Sequence, residues 1–262
     1  MLTDQRRSME PDYLQPRLFD MDMDESSFSG FERVLLKLSG EALSGNNGWG
    51  VDDSTALRFA QEIADARQKL GVEIAIVIGA GNFWRGAQHP EMDRANADYA
   101  GMLATVMNGL ALQDRLEKLG QETRVMTAIE TNKVAEPYIR RRATRHMQKG
   151  RVVILAGGTG NPYFTTDTAA VLRATELEAD AVLMAKNGVD GVYDSDPKTN
   201  PKATRFSYLS HKDIIEQDLK VMDSTAATMA GDNDMKIVVY DGGKIGGLEE
   251  ILLYPQKGTI IM

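Results

Sequence analysis

Residues 151–170 read RVVILAGGTGNPYFTTDTAA, and the fold turns on how that stretch is punctuated. Val152–Leu155 is a short apolar run closed by Ala156-Gly157-Gly158, the pattern of a strand buried on both faces of a parallel sheet. Small and hydroxyl residues follow, and Asp167 then opens an alanine-rich helical pattern. A strand, a glycine-rich turn and a helix start leave backbone N–H groups free where an anion can sit. The hydroxyls of Thr159, Thr165, Thr166 and Thr168 can donate or accept beside it. Alone, such a GGTG turn reads equally well as an ordinary strand-to-helix loop.

Outward from there, strand patterns recur at Val34–Leu38, Glu73–Ile78, Thr123–Met126, Ala181–Met184, Lys236–Tyr240 and Thr259–Met262. Between them lie helical patterns from the Asp52-Asp53-Ser54 cap to Gly71, then over Asp98–Leu119, a basic Pro137–Lys149, Asp167–Leu177, Asp213–Leu219, Asp223–Gly231 and Leu248–Leu253. Gly188–Pro201 is a turn-rich excursion. This alternation predicts an α/β fold, a three-layer αβα sandwich around a mostly parallel sheet. Residues 31–262 show no internal repeat or linker and read as a single domain. Residues 1–30 carry seven acids and three arginines with little periodicity, and read as a disordered acidic leader outside the fold.

The chain has 262 residues, 42% hydrophobic and 26% charged, with a net charge of −8 and no cysteine. Disulfides, thiolate metal sites and cysteine nucleophiles are therefore excluded. No apolar run reaches the roughly 18 residues of a membrane span, and the start lacks a signal-peptide pattern, so a cytoplasmic location is expected. His89, His146 and His211 are scattered. The acidic balance disfavours nucleic acid as a main partner. Arg140-Arg141-Arg142 and Arg145 read as a solvated helix face rather than a DNA-binding surface.

Ligands of open parallel sheets bind beyond the carboxyl ends of the strands. Three glycine turns fall at such ends: Ser39-Gly40, Gly79–Gly86 and Gly157–Gly160. Together they suggest a polyphosphate, or two phosphorylated ligands. No G-x-x-x-x-G-K-[ST] is present, and GAGNFWRG lacks the third glycine of the dinucleotide pattern. Lys37, closing an apolar strand just before Ser39-Gly40, is either phosphate-facing or a snorkelling edge lysine. Arg85 lies in the second turn. Asp98 begins the long helical pattern and Asp167 the next, so each is also readable as a helix-terminal charge or cap. Asp190, Asp194 and Asp196 form a turn cluster without the glutamate of a calcium loop.

KLSGEAL (37–43), GAGNFWRG (79–86), GMLATVMNGLAL (101–112), RVVILAGGTGNPYFTTDTAA (151–170), KNGVDGVYDSDP (186–197) and KVMD (220–223) together resemble the bacterial uridylate (UMP) kinases of the amino acid kinase fold, in order over residues 31–262. The resemblance implies phosphoryl transfer from ATP to UMP, giving UDP and ADP. Mg²⁺ would be held through nucleotide phosphates, with no direct protein ligand. By the same resemblance, Lys37, Ser39, Gly40, Gly81 and Arg85 serve the ATP phosphates, and Asn187, Tyr193 and Asp196 frame the ATP nucleoside. Ala80, Asp98, Thr159, Gly160, Asn161, Pro162, Tyr163, Phe164, Thr165 and Thr166 would bind UMP, Asp98 through the ribose hydroxyls. Asp167 would organise lysine and metal, with Asp223 in a supporting catalytic role. Ala80 stands where many relatives carry glycine. A homohexamer, activation by GTP and inhibition by UTP are also implied. Arg124 and Arg151 match GTP-site positions, while Gln113 replaces an expected arginine. The alternatives are a carboxylate or carbamate kinase of the same fold, and a non-catalytic uridine-nucleotide sensor. Loss of Lys37 or Asp167 would mark the sensor, and both are present.

Overall fold

Strand β1 is Arg33–Leu38, β2 Glu73–Ile78, β3 Thr123–Thr127, β4 Glu136–Pro137, β5 Val152–Ala156 and β6 Ala181–Lys186. Then come β7 Val192–Tyr193, β8 Arg205–Phe206, β9 Tyr208–Leu209, β10 Ile237–Asp241 and β11 Thr259–Ile261. The helices are α1 Asp53–Leu70, α2 Arg94–Lys118, α3 Arg140–Gln148, α4 Thr166–Glu176, α5 His211–Glu216, α6 Ser224–Asp232 and α7 Gly247–Leu253. This computed structural model describes residues 30–262, so the expectation of a disordered leader falls outside the described residues, Gly30 apart. Phe31–Met262 forms one compact unit.

Nine strands make one sheet in the order β4-β3-β5-β2-β1-β6-β10-β11-β9, parallel except where β11 runs against β10. Strand alternation separates two cores. Val34, Leu36 and Leu38 of β1 pack with Phe59 and Ile63 of α1, Leu112 and Leu116 of α2, and Ile251 of α7. Leu35 turns to the opposite face, among Met147 of α3, Ala170 and Ala174 of α4, and Ala227 of α6. The small residues of α4 and α6 let these helices lie close to the sheet and to each other. Among the described residues no helix is long and apolar enough to cross a membrane.

Helix boundaries follow the caps. Asp52 accepts from Thr55 N–H and Gly71 closes α1 in the left-handed region, as the sequence indicates. Three expectations need correction. The long helix starts at Arg94, because Asp93 caps it by accepting from Asn96 N–H; Asp98 sits a turn inside. Thr165, not Asp167, caps α4. The basic helix begins at Arg140, since Glu136–Pro137 pairs with β3 as an edge strand, where a proline is tolerated. The 188–201 excursion contains β7, which pairs with β8 outside the main sheet.

Candidate active site

Strands β5, β2, β1 and β6 are consecutive in the sheet, so their carboxyl ends lie side by side. That edge carries Gly157–Gly160, Gly79–Gly81, Ser39-Gly40 and Asn187-Gly188. The β1 and β2 turns touch through their backbones: a Cβ on Gly40 would lie 2.6 Å from the Gly79 carbonyl oxygen, so a side chain there forces the turns apart.

Lys37 follows Leu35 on the α4 face of the sheet, and its Nζ lies 2.6 Å from Asp167 Oδ1. Both side chains are largely buried. The snorkelling alternative does not describe it: a lysine snorkels toward water, whereas this ammonium is turned onto a carboxylate at the start of α4. Lys186 shares the face, following Val182 and Met184 on the neighbouring strand. Its Nζ donates to the Val221 carbonyl at 2.6 Å. Burial, then repulsion from Lys37, holds the Lys186 ammonium below the usual lysine range, with Asp167 opposing the shift. The edge thus concentrates two cations around one carboxylate. Asp223 faces this group as a fastener. It caps α6 by accepting from Ala226 N–H at 3.0 Å, and receives the hydroxyls of Thr165 and, at 3.1 Å, Thr168. The first turns of α4 and α6 are joined there.

The 157–166 loop is tied at several points. Gly157 has a φ of +78° and its N–H donates to Thr105 Oγ1 at 2.7 Å. Thr159 Oγ1 accepts from Asn161 N–H at 3.1 Å. Tyr163 holds a φ of +72°, strained for a non-glycine residue, and its N–H donates to Asp98 Oδ2 at 2.7 Å. Asp98 also shares the single Arg94 Nε–H between its two oxygens, at 3.0 Å to Oδ1 and 2.9 Å to Oδ2. Asp98 and Tyr163 are thereby brought together although 65 positions separate them. Behind the loop, buried Arg173 stacks on Tyr138, pairs with Glu176 at 2.7 Å, and reaches the Gly158 and Thr159 carbonyls at 3.4 Å.

The sequence matches the amino acid kinase family over residues 32–241. The chain belongs to that family. It is 56% identical over 232 residues to a protein named uridylate kinase from Deinococcus radiodurans, covering 88% of this chain and 95% of that one. A uridylate kinase from Oenococcus oeni is also 56% identical, over 234 residues, with 88% and 96% covered. Among solved structures, UMP kinase from Bacillus anthracis superposes with a TM-score of 0.85 at 42% identity, covering 88% of this chain and 96% of that one.

Elsewhere on this amino acid kinase, Arg85 pairs with Glu41 beside Gly81. The two border a cavity of about 340 Å³ with Trp49, Phe83, Trp84 and His89. Ala80 accepts from Phe83 and Trp84 N–H through its carbonyl, closing the turn. Asn187 faces Gly243, Tyr193 donates to Asp190 Oδ1 at 2.7 Å, and Asp196 Oδ1 accepts from Lys198 N–H at 2.9 Å. Phe164 is exposed beside Tyr163, and Pro162 is half-buried. Gln113 braces α2 by donating to the Thr123 carbonyl, which Arg124 also meets. Arg124 and Arg151 belong to one chain of contacts, since Glu136 lies near Arg124 and His146, and His146 meets Arg151. Sequence reasoning passed over Lys186, although it closes an apolar strand just as Lys37 does. It also passed over Asp241-Gly242-Gly243, a further glycine turn at the end of a parallel strand. Asp241 accepts there from Gly188 and Gly243 N–H, fastening the Asn187 turn.

Proposed function

We propose that this amino acid kinase transfers the γ-phosphoryl group of ATP to UMP, giving UDP and ADP. The observation that carries the reading is the Lys37–Asp167 pair, with Lys186 beside it, at the edge where four strand ends meet. The names of its relatives support the choice of acceptor. A phosphate monoester has a second pKa of about 6, so the acceptor is already largely anionic and needs no general base. The difficulty is bringing two anions together, and preorganised cations and backbone N–H groups answer it. Lys37 and Lys186 would meet the phosphoryl oxygens, with Asp167 orienting Lys37. Ser39, Gly40, Gly81 and Arg85 would line the phosphate path, and Asn187, Tyr193 and Asp196 the ATP nucleoside.

Ala80, Asp98 and the Thr159–Thr166 loop would take UMP. Asp98 already holds both Arg94 and the Tyr163 N–H, so ribose hydroxyls would join an anchored carboxylate. Asp223 would act through Thr165 and Thr168 rather than on substrate. Mg²⁺, when bound, would neutralise charge between the phosphates. Asp167, whose carboxylate meets Lys37 at the cleft, would orient an ion carried in by the nucleotide.

Tyr99, Leu103 and Met107 form an exposed apolar row on α2, at 44%, 52% and 53% exposure, which supports assembly of copies, a hexamer by resemblance. The Arg124–Arg151 cluster is the proposed place for GTP, with Gln113 weakening it. Inhibition by UTP and a cytoplasmic location complete the proposal. The test is ADP release with and without UMP in wild type and Lys37→Ala. Loss of one preorganised donor is expected to lower kcat by about 10²–10³-fold. Near-normal kcat would contradict the site.

A further inference from the structure

Asn82 and Asn108 are 1% and 0% exposed, and neither has a place in the chemistry above. Their amides form a closed reciprocal pair: each Nδ2 donates to the other's Oδ1, at 2.9 and 2.8 Å. The second hydrogen of each amide goes to backbone. Asn82 donates to the Gly50 carbonyl at 2.7 Å and Asn108 to the Gly79 carbonyl at 2.8 Å. Because carbonyls can only accept, both amide orientations are determined and all four donor hydrogens are used. A buried polar pair is tolerated only when satisfied in this way, so a helix placing asparagine at its buried face does so for that partner.

The pair stands where two phosphate turns meet. Gly79 ends β2 and leads into Ala80-Gly81, and Gly50 N–H returns a bond to the Asn82 carbonyl at 2.9 Å. On the other side is Gly40, where a Cβ would sit 2.5 Å from Asn82 Oδ1. We propose that the Asn82–Asn108 pair is a positioning device that sets the spacing between the Ser39-Gly40 turn, assigned to ATP, and Ala80 beside Gly79, assigned to UMP, and so between donor and acceptor. The inference rests on the assignment of those turns under the proposed function. Its consequence is specific: each nucleotide keeps most of its own contacts without the pair, while their mutual alignment is lost.

The experiment compares wild type, Asn108→Leu and Asn82→Leu/Asn108→Leu. The double variant removes both side-chain amides together, so neither is left buried without the other, guarding against a variant that simply fails to fold. Steady-state kcat is measured with saturating Mg-ATP and UMP. Binding of each nucleotide alone is measured by calorimetry, and thermal melting reports folding. Misplacement by about 1 Å costs up to 10²-fold in rate, so kcat is expected to fall roughly 10–100-fold. Each separate affinity is expected to stay within about threefold, and melting in the double variant to recover without recovery of kcat. A folded variant with kcat within twofold of wild type would overturn the proposal, as would a loss confined to the affinity for one nucleotide. Normal kcat in Lys37→Ala would instead remove the site assignment beneath it, so the two failures are told apart.

Discussion

At the scale of single residues, the site is a problem of holding like charges together. Lys37 and Lys186 repel across adjacent strands, and Asp167 offsets only part of that. Burial beside Lys37 makes Lys186 give up its proton below the ordinary lysine value of 10.5. If its charge serves transfer, kcat falls as pH rises through that lowered value. Lys186→Arg keeps its charge at any accessible pH, and is expected to move the alkaline limb upward in a pH–rate profile. For stability the sign is opposite. Between the lowered value and 10.5 the unfolded chain binds more protons, so this group's contribution rises with pH. Lys37 was legible because a cation ending an apolar strand before a glycine turn is conspicuous. Lys186 carries the same signal but lies two residues beyond the apolar run Ala181–Met184, so its place at the end of β6 was not legible.

At the scale of elements, caps and tethers decide where the loop sits. Thr165 caps α4 by accepting from Asp167 and Thr168 N–H, and donates to Asp223. Thr165→Ala is expected to lower stability by about 1–2 kcal/mol in urea unfolding, and Thr165→Ser to restore most of it. Arg173→Met removes the cation behind the Gly158 and Thr159 carbonyls and leaves Glu176 with the Tyr138 hydroxyl alone as its donor on that oxygen. A loss of about 1.5–3 kcal/mol is expected by the same measurement. Most elements were legible from apolar runs and terminal glycines. The start of α2 was not, because Asp93 and Asp98 both precede helical pattern and only the fold shows that Asn96 N–H meets Asp93. Nor was Asn108, whose polarity within an apolar helix makes sense only beside Asn82, 26 positions away.

At the scale of the whole molecule, sheet order turns scattered turns into one edge: β5, β2, β1 and β6 are far apart in sequence and adjacent in space. Alternation of apolar strands with helices announced the αβα layers, but strand order depends on which helices cross which face, and no local pattern states that. The core is the common support. Leu36 is fully buried in the central strand, and Leu36→Ala is expected to cost about 2–5 kcal/mol in chemical unfolding, with the edge loosened alongside. Under the proposed function, this edge passes a phosphoryl group from ATP to UMP. The most direct test measures ADP release from Mg-ATP with UMP, CMP, dUMP, aspartate, acetylglutamate or carbamate as separate acceptors. Turnover with UMP far above every other acceptor is the expected result. Turnover with a carboxylate or carbamate instead, or none with UMP, would rule out UMP as the acceptor at this edge.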